Sequence, residues 1–151
     1  MIRAVIFDYG RTLYDRDENR LFPDAVAVIR QLSTRYRLAI VYFSPKEEEK
    51  ERISVLEGHG ILECFEDIQF TDEIGEKGER CTEVLRKLGL GADEIAVVDD
   101  HIIRGVAWGN QVGATTIWFR LGKFANVLPD ETTGQPDHIV HSLQELLGIL
   151  A

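Results

Sequence analysis

Residues 2–13, reading IRAVIFDYGRTL, constrain this chain more than any other stretch. Ile2, Ala4, Val5, Ile6 and Phe7 form an apolar run without alternation, the pattern of a strand buried on both faces and therefore central in a parallel sheet. The run ends in Asp8, and Gly10 follows where the backbone is expected to turn. A carboxylate carried to the end of a buried strand costs free energy unless it is paired. Either Asp8 is a solvated turn residue, or the rest of the chain brings compensating groups to it.

Downstream, strand-like and helix-like segments alternate. Residues 14–21 are polar and irregular and read as a short hairpin or loop over the mouth of the first strand. Pro23 and Asp24 suit the first turn of a helix whose Ala25, Val28, Ile29 and Leu32 recur at helical spacing. Residues 38–43 are a second buried strand. Ser44, Pro45 and Glu47 read as N-cap, first helical position and the closing half of a capping box, opening a helix with Ile53 and Leu56 inward. Gly58 or Gly60 ends it. Residues 65–70 alternate apolar and acidic side chains as an edge strand does. Glu76-Lys77-Gly78 opens a helix with Cys81, Val84, Leu85 and Leu88 on one stripe, and Gly89 stops it. A fourth strand over 95–98 ends in Asp99-Asp100-His101. A short helix over 102–111, a fifth strand over 114–119, a loop over 121–136, a short strand over 137–140 and a helix carrying Leu143, Leu146, Leu147 and Leu150 complete the chain. This predicts an α/β fold: a three-layer, Rossmann-like sandwich around a mainly parallel sheet of five or six strands, with strand one central. No repeat, linker or biased segment divides it, so residues 1–151 read as a single domain.

The net charge of −9, from 17 basic and 26 acidic residues, argues against a nucleic-acid footprint or an anionic membrane surface as partner. The two cysteines, Cys64 and Cys81, form no motif and read as buried free thiols. No apolar run approaches membrane-spanning length and the N-terminus lacks a signal-peptide shape, so a cytoplasmic location is expected.

In parallel sheets of this kind, ligands bind beyond the carboxyl ends of the strands. Asp8, Ser44, Lys77, Asp99 and Asp100 all fall on that edge. Carboxylates from separate strands, with only oxygen donors beside them, describe a Mg²⁺ site. Asp8, the backbone carbonyl of Gly10 and Asp100 are the expected protein ligands, with Asp99 as a neighbouring ligand; the alternative for Asp99 and Asp100 is that one of them is the N-cap of the next helix. Ser44 can cap its helix and hold a phosphate at the same N-terminus. Lys77, a cation in the first turn of a helix, opposes the macrodipole, which an anion in front of it would offset.

Taken in order, these motifs resemble the haloacid dehalogenase-like (HAD) hydrolase superfamily. Its first motif is an apolar strand followed by Asp-x-Asp-x-Thr, here Asp8-Tyr9-Gly10-Arg11-Thr12-Leu13. Its second is a Ser or Thr ending a strand, here Ser44. Its third is a Lys opening a helix, here Lys77. Its fourth is an acidic group ending an apolar strand, here Asp99-Asp100. The resemblance covers almost the whole chain. It implies a Mg²⁺-dependent phosphatase in which Asp8 attacks phosphorus, Lys77 and the metal neutralise the transferring group, Ser44 positions it, and Thr12 ties the turn through a hydroxyl–backbone bond. A phosphorylated small molecule or macromolecule is the implied substrate.

The chain also departs from that pattern. Gly10 stands where the family's phosphatases carry a general acid, a group typically worth about 10²–10⁴-fold. Arg11 replaces a common glycine and adds a cation at the mouth, where it would contact substrate. Gly105 stands where a second acidic residue is frequent. A weak phosphatase is therefore expected, with His101 or Asp15 as candidate replacement acids. The alternative is a non-catalytic Mg²⁺- and phosphate-binding domain acting through a protein partner. The segments after Thr12 and Ser44 are too short for a substantial cap domain, which leaves Tyr9, Tyr14 and residues 15–20 to select substrate. A receiver domain is disfavoured, because receivers place the acidic pair after strand one.

Overall fold

The computed structural model describes residues 1–73 and 75–150. The apolar run becomes β1 (Ala4–Phe7), whose four side chains are at most 1% exposed. A small antiparallel hairpin, β2 (Tyr14–Asp15) and β3 (Arg20–Leu21), follows it. Then come α1 (Ala25–Ser33), β4 (Arg37–Phe43), α2 (Glu49–Gly58), β5 (Phe65–Thr71), α3 (Lys77–Leu88) and β6 (Ile95–Asp99). A π-helical turn (Ile102–Val106) leads into α4 (Ala107–Val112), and β7 (Thr115–Phe119), β8 (His138–Val140) and α5 (Leu146–Ile149) finish the chain.

Six strands form one sheet in the order β5-β4-β1-β6-β7-β8, with every pairing parallel. The chain works outward from β1 to one edge, then returns to β6 on the other side of β1. Strand order therefore reverses between β1 and β6, which is where a ligand crevice opens in an open parallel sheet.

Successive strand residues face opposite sides and build two cores. Val5, Phe7, Leu38, Ile40 and Tyr42 pack under α1, α2 and the C-terminal Leu143, Leu146 and Leu150. Ala4, Ile6, Ala39, Val41 and Val97 pack under Cys81, Val84 and Leu88 of α3, with Trp108 of α4 against them. This is the expected three-layer sandwich. On that second face α4 approaches β7 closely: a Cβ on Gly109 would lie 2.5 Å from Thr116 Cγ2. Phe65–Thr71 is the expected edge strand, and Gly89, with φ of 67°, ends α3.

The region after β4 departs from expectation. Pro45 is extended (ψ 142°), a 3₁₀ turn covers Lys46–Glu48, and α2 starts only at Glu49. Ser44 therefore caps no helix, and no capping box with Glu47 forms. Its N–H pairs with the carbonyl of Thr71 instead, continuing the β4–β5 ladder by one residue. On α2 it is Arg52 that is buried with Leu56, while Ile53 is only partly covered.

Candidate active site

Register carries Asp8 to the crevice. Phe7 pairs with Ile40 on one side and Val98 on the other, and the Asp8 N–H donates to the Val98 carbonyl (3.0 Å). Asp8 thus stands one residue beyond the ladder, level with the Asp99-Asp100 end of β6. The turn that follows is gathered on one acceptor: the Tyr9 carbonyl receives the N–H groups of Thr12, Leu13 and Tyr14 at 3.2, 2.9 and 3.0 Å. Gly10 was expected to supply the unusual backbone angle, but Arg11 does so, with φ of 65°. A left-handed arginine costs about 1–2 kcal/mol, which the Arg11 N–H to Tyr14 carbonyl bond (2.7 Å) helps offset.

Lys77, the first residue of α3, joins two strand ends. Its Nζ donates to Asp8 Oδ1 at 2.9 Å and to Asp99 Oδ2 at 2.7 Å, with only 11% of its side chain exposed. Burial would lower the lysine's pKa, but the charges of Asp8 and Asp99 more than offset it and push it upward. The cation opposing the helix dipole is thus stabilised by two carboxylates of the protein itself.

The three aspartates are not equivalent. Asp99 Oδ1 accepts the His101 N–H (3.0 Å), and Oδ2 accepts the Gly105 N–H (2.8 Å) besides Lys77. Burial alone would raise its pKa, but Lys77 and the His101 N–H pull it below the ordinary carboxylate value. Gly105 is required for this arrangement, because a Cβ there would lie 2.4 Å from Asp99 Oδ2. The carboxylate of Asp99 occupies the room a side chain at 105 would need. Asp8 shares the single lysine charge; burial and the Asp99 charge win, and its pKa is raised. Among the described residues, Asp100 forms no ion pair. Its Oδ2 is buried without a partner, and burial, with the charges of Asp8 and Asp99, pushes it up to about 10.

That imbalance fits a divalent cation. One oxygen from each of Asp8, Asp99 and Asp100 lies within 4.8 Å of the others. The donors are hard oxygens, which suit Mg²⁺, and the partnerless Asp100 Oδ2 is the atom most in need of a cation. Asp99 accepts two N–H groups and the ammonium, so it orients Lys77 while remaining within the same acidic cluster. Gly10 lines the same cavity.

Around this floor opens a cavity of about 290 Å³. Asp8, Lys77, Asp99 and Asp100 line its base, and Arg11, Arg16, Arg104 and Lys123 bring four cations to its walls. A larger groove of about 800 Å³ adjoins it, sharing Phe43, Lys77 and Arg104.

Several expected residues sit elsewhere. Ser44 is fully buried and does not line the cavity; its hydroxyl donates to the Pro45 carbonyl (3.2 Å) and accepts from Arg52 Nε (3.3 Å). Among the described residues, Thr12 makes no hydroxyl–backbone bond. Its Oγ1 faces Asp8 Oδ2 (3.2 Å) and Asp100 Oδ1 (3.5 Å), bridging two carboxylates. Tyr9 is wholly buried, stacked on Tyr14 and tilted against Tyr42, so it cannot select substrate. Asp15 receives the N–H groups of Asp17 and Glu18 within the hairpin and is absent from the cavity wall. His101 does line the wall, stacked on Phe124 at 4.0 Å between ring centroids.

Residues 15–20 were expected at the mouth, and Arg16 is the one of them that lines the cavity. Sequence reasoning missed Arg104, Lys123 and Arg52. The first two lie on short turns whose approach to the site no periodicity encodes. Arg52 had a signal: it stands four residues before Leu56, on the same helical face. Its guanidinium lies over Tyr9 and Tyr42, at 5.5 and 5.6 Å from the ring centroids, and bonds Glu48 Oε2 at 2.8 Å.

The fold is one shared with haloacid dehalogenase-like hydrolases of known structure. The structure superposes with TM-score 0.78 on magnesium-bound YfnB of Bacillus subtilis, described as a HAD-hydrolase, over 99% of this chain and 98% of that one at 16% identity. It superposes with TM-score 0.76 on a HAD phosphatase from Thermococcus onnurineus, over 99% and 98% of the two chains at 19% identity. At these identities the likeness is one of fold. In sequence it is 25% identical over 133 residues to a glyceraldehyde 3-phosphate phosphatase of Methanopyrus kandleri, a match spanning 85% of this chain and 56% of that protein. The chain thus spans about half the length of the curated relatives it matches. No family model matches it. No helix among the described residues is long and apolar enough to cross a membrane.

Proposed function

We propose that this chain is a Mg²⁺-dependent phosphatase that uses Asp8 as nucleophile and acts slowly where the leaving group is an alcohol. The observation supporting this most directly is the carboxylate of Asp8 at the base of a cationic cavity, bonded to Lys77 and facing the partnerless Asp100 Oδ2. The names of the sequence relatives point the same way.

Asp8 Oδ1 or Oδ2 attacks phosphorus, forming an aspartyl-phosphate that water then hydrolyses. Lys77 stays charged throughout and faces the oxygens on which negative charge develops. Asp99 holds Lys77 in place, and Thr12 keeps the Asp8 and Asp100 carboxylates in register. Arg11 reaches the mouth to meet the substrate. Asp8, Asp100 and the Gly10 carbonyl would hold Mg²⁺, which when bound neutralises phosphoryl charge as a Lewis acid. The buried hydroxyl of Ser44 is assigned to shaping the β4 end, with phosphate contact requiring its release from Arg52. The two-residue strands of the hairpin after β1 and the short α2 support reading these segments as too small for a substantial cap. The site is proposed to be open, to accept a phosphorylated small molecule or a phosphorylated macromolecule, and to work in the cytoplasm.

Turnover of p-nitrophenyl phosphate tests this, since its leaving group needs no proton. Turnover should require Mg²⁺ and fall to background in Asp8→Asn. A second reading, a Mg²⁺- and phosphate-binding domain without activity, is favoured by Gly10, which has no side chain to act as an acid. It would show as fluoroberyllate bound at the site with no Asp8-dependent turnover.

A further inference from the structure

The walls of the cavity offer charge where an ester hydrolase would need a proton. Asp8, Asp99 and Asp100 are engaged with Lys77, Thr12, backbone N–H groups and the metal position. Tyr42 is packed between Tyr9 and Phe70 with its hydroxyl buried. His101 lies flat on Phe124. What remains at the mouth is cationic. Arg16 lies on the tip of the β2–β3 hairpin and is exposed. Its side chain passes directly over Gly10, with Cδ 3.6 Å and Nη1 3.8 Å from where a Cβ on that glycine would be. Among the described residues, Arg16 and Arg104 make no ion pair, and Arg11 reaches only the exposed Asp17 at 3.7 Å. Four cations crowding one small cavity, in a chain of net charge −9, call for anionic charge on the substrate beyond the phosphoryl group.

From this we infer that the substrates proper to this site are phosphoric anhydrides, acyl phosphates or phosphate–phosphate anhydrides, whose leaving group departs as an anion paired with Arg16. The inference rests on the phosphatase reading above and narrows its substrate class. In the first step an Asp8 oxygen forms a bond to phosphorus while the bridging P–O bond breaks. The bonding pair leaves with the carboxylate or phosphate, and no proton is transferred. In the second step water attacks the phosphorus of the aspartyl-phosphate and the Asp8 carboxylate leaves with its electron pair. The protons of that water remain on the released inorganic phosphate or pass to solvent. The enzyme-bound intermediate is itself an acyl phosphate, so both steps expel a weakly basic anion. An alcohol ester would have to expel an alkoxide with no side chain at Gly10 to protonate it and with the His101 ring held against Phe124, a handicap of about 10²–10⁴-fold. One guanidinium aimed at developing charge is worth a comparable factor to one oxyanion donor, about 10²–10³.

The experiment measures kcat/KM for acetyl phosphate, inorganic pyrophosphate, glyceraldehyde 3-phosphate and a series of aryl phosphates, in the full chain with Mg²⁺. At least one anhydride should exceed glyceraldehyde 3-phosphate by about 100-fold or more, and which one does so separates a carboxylate from a phosphate leaving group. Arg16→Ala, at an exposed position, should fold normally. It should lower anhydride turnover by about 100-fold and steepen the dependence on aryl leaving-group pKa, with part of the loss restored in Arg16→Lys. Equal turnover of glyceraldehyde 3-phosphate and the anhydrides would overturn the inference alone. So would an Arg16→Ala variant with an unchanged aryl slope, or selective loss of ester turnover in His101→Asn, which would reveal an imidazole acid. Absence of any Asp8-dependent turnover of p-nitrophenyl phosphate would overturn the phosphatase reading and this inference together.

Discussion

Replacing Lys77 with methionine removes the one ammonium that, among the described residues, lies within hydrogen-bond reach of Asp8 and Asp99, at 2.9 and 2.7 Å, and leaves both carboxylates in place. Breaking a buried pair from one side typically costs about 3–5 kcal/mol, because the remaining charge is uncompensated. The lower end applies here. Asp8 already has a raised pKa and can take a proton, and Asp99 keeps the N–H groups of His101 and Gly105. In a domain of this size about 1 kcal/mol corresponds to roughly 2–4 °C in Tm, so a loss of about 6–12 °C is expected at pH 7. The pH dependence gives a sharper test. Asp99 is depressed below its ordinary 3.8, so its contribution is present above that value and fades as pH falls through the folded pKa. Lys77 is raised above 10.5, so its contribution is complete below that value and is lost only as pH climbs through its folded pKa. The gap between wild type and Lys77→Met should therefore be widest between roughly pH 5 and 10 and shrink toward pH 3. Thermal denaturation followed by circular dichroism across that range measures it. A Tm within about 2 °C of wild type at pH 7, or a gap of equal size at pH 3, would refute the pairing as described.

Three further outcomes are expected. Asp100 is raised from 3.8 to about 10 before any cation binds, so a dication must displace a proton; apparent Mg²⁺ affinity should climb with pH, by up to tenfold per unit, and level off near 10. Titration calorimetry in buffers of differing ionisation enthalpy should find about one proton released per Mg²⁺, and pH-independent binding would contradict this. By the same sign, the metal-free protein should lose stability as pH rises from about 4 toward 10, and Mg²⁺ should restore it at the alkaline end. Gly105→Ala puts a methyl 2.4 Å from Asp99 Oδ2, so it should cost about 1–3 kcal/mol in denaturant unfolding and lower turnover of p-nitrophenyl phosphate by displacing Lys77.

The arrangement of strands was legible because its signals are local and redundant. An unbroken apolar run such as residues 4–7 can only be buried on both faces, and its alternation with amphipathic helices leaves a parallel sheet as the means of burial. The helix stripe Cys81, Val84, Leu88 and the stop at Gly89 were readable for the same reason: each is set by spacing along one element. Misreadings came where two local rules competed. Ser-Pro-x-Glu is a sound helix-start pattern, yet ladder pairing between Ser44 and Thr71 extended the strand and delayed the helix to Glu49. Gly10 looked like the turn residue, but the ladder register fixed the left-handed position one residue later, on Arg11.

Sequence alone determined that acidic groups and a lysine would collect at the carboxyl edge of a parallel sheet, since strand direction and chain order dictate which residues end there. It did not determine how those groups divide the work. Tertiary structure decided that Asp99 receives two backbone N–H groups and the ammonium while Asp100 keeps an oxygen with no partner. It also brought Arg16, Arg104 and Lys123 over the mouth and turned Ser44 and Tyr9 inward. The physical reason is one of range. Periodicity encodes which side of an element is apolar, whereas charge compensation and side-chain approach depend on distances between segments far apart in the chain, which exist only once the sheet has closed.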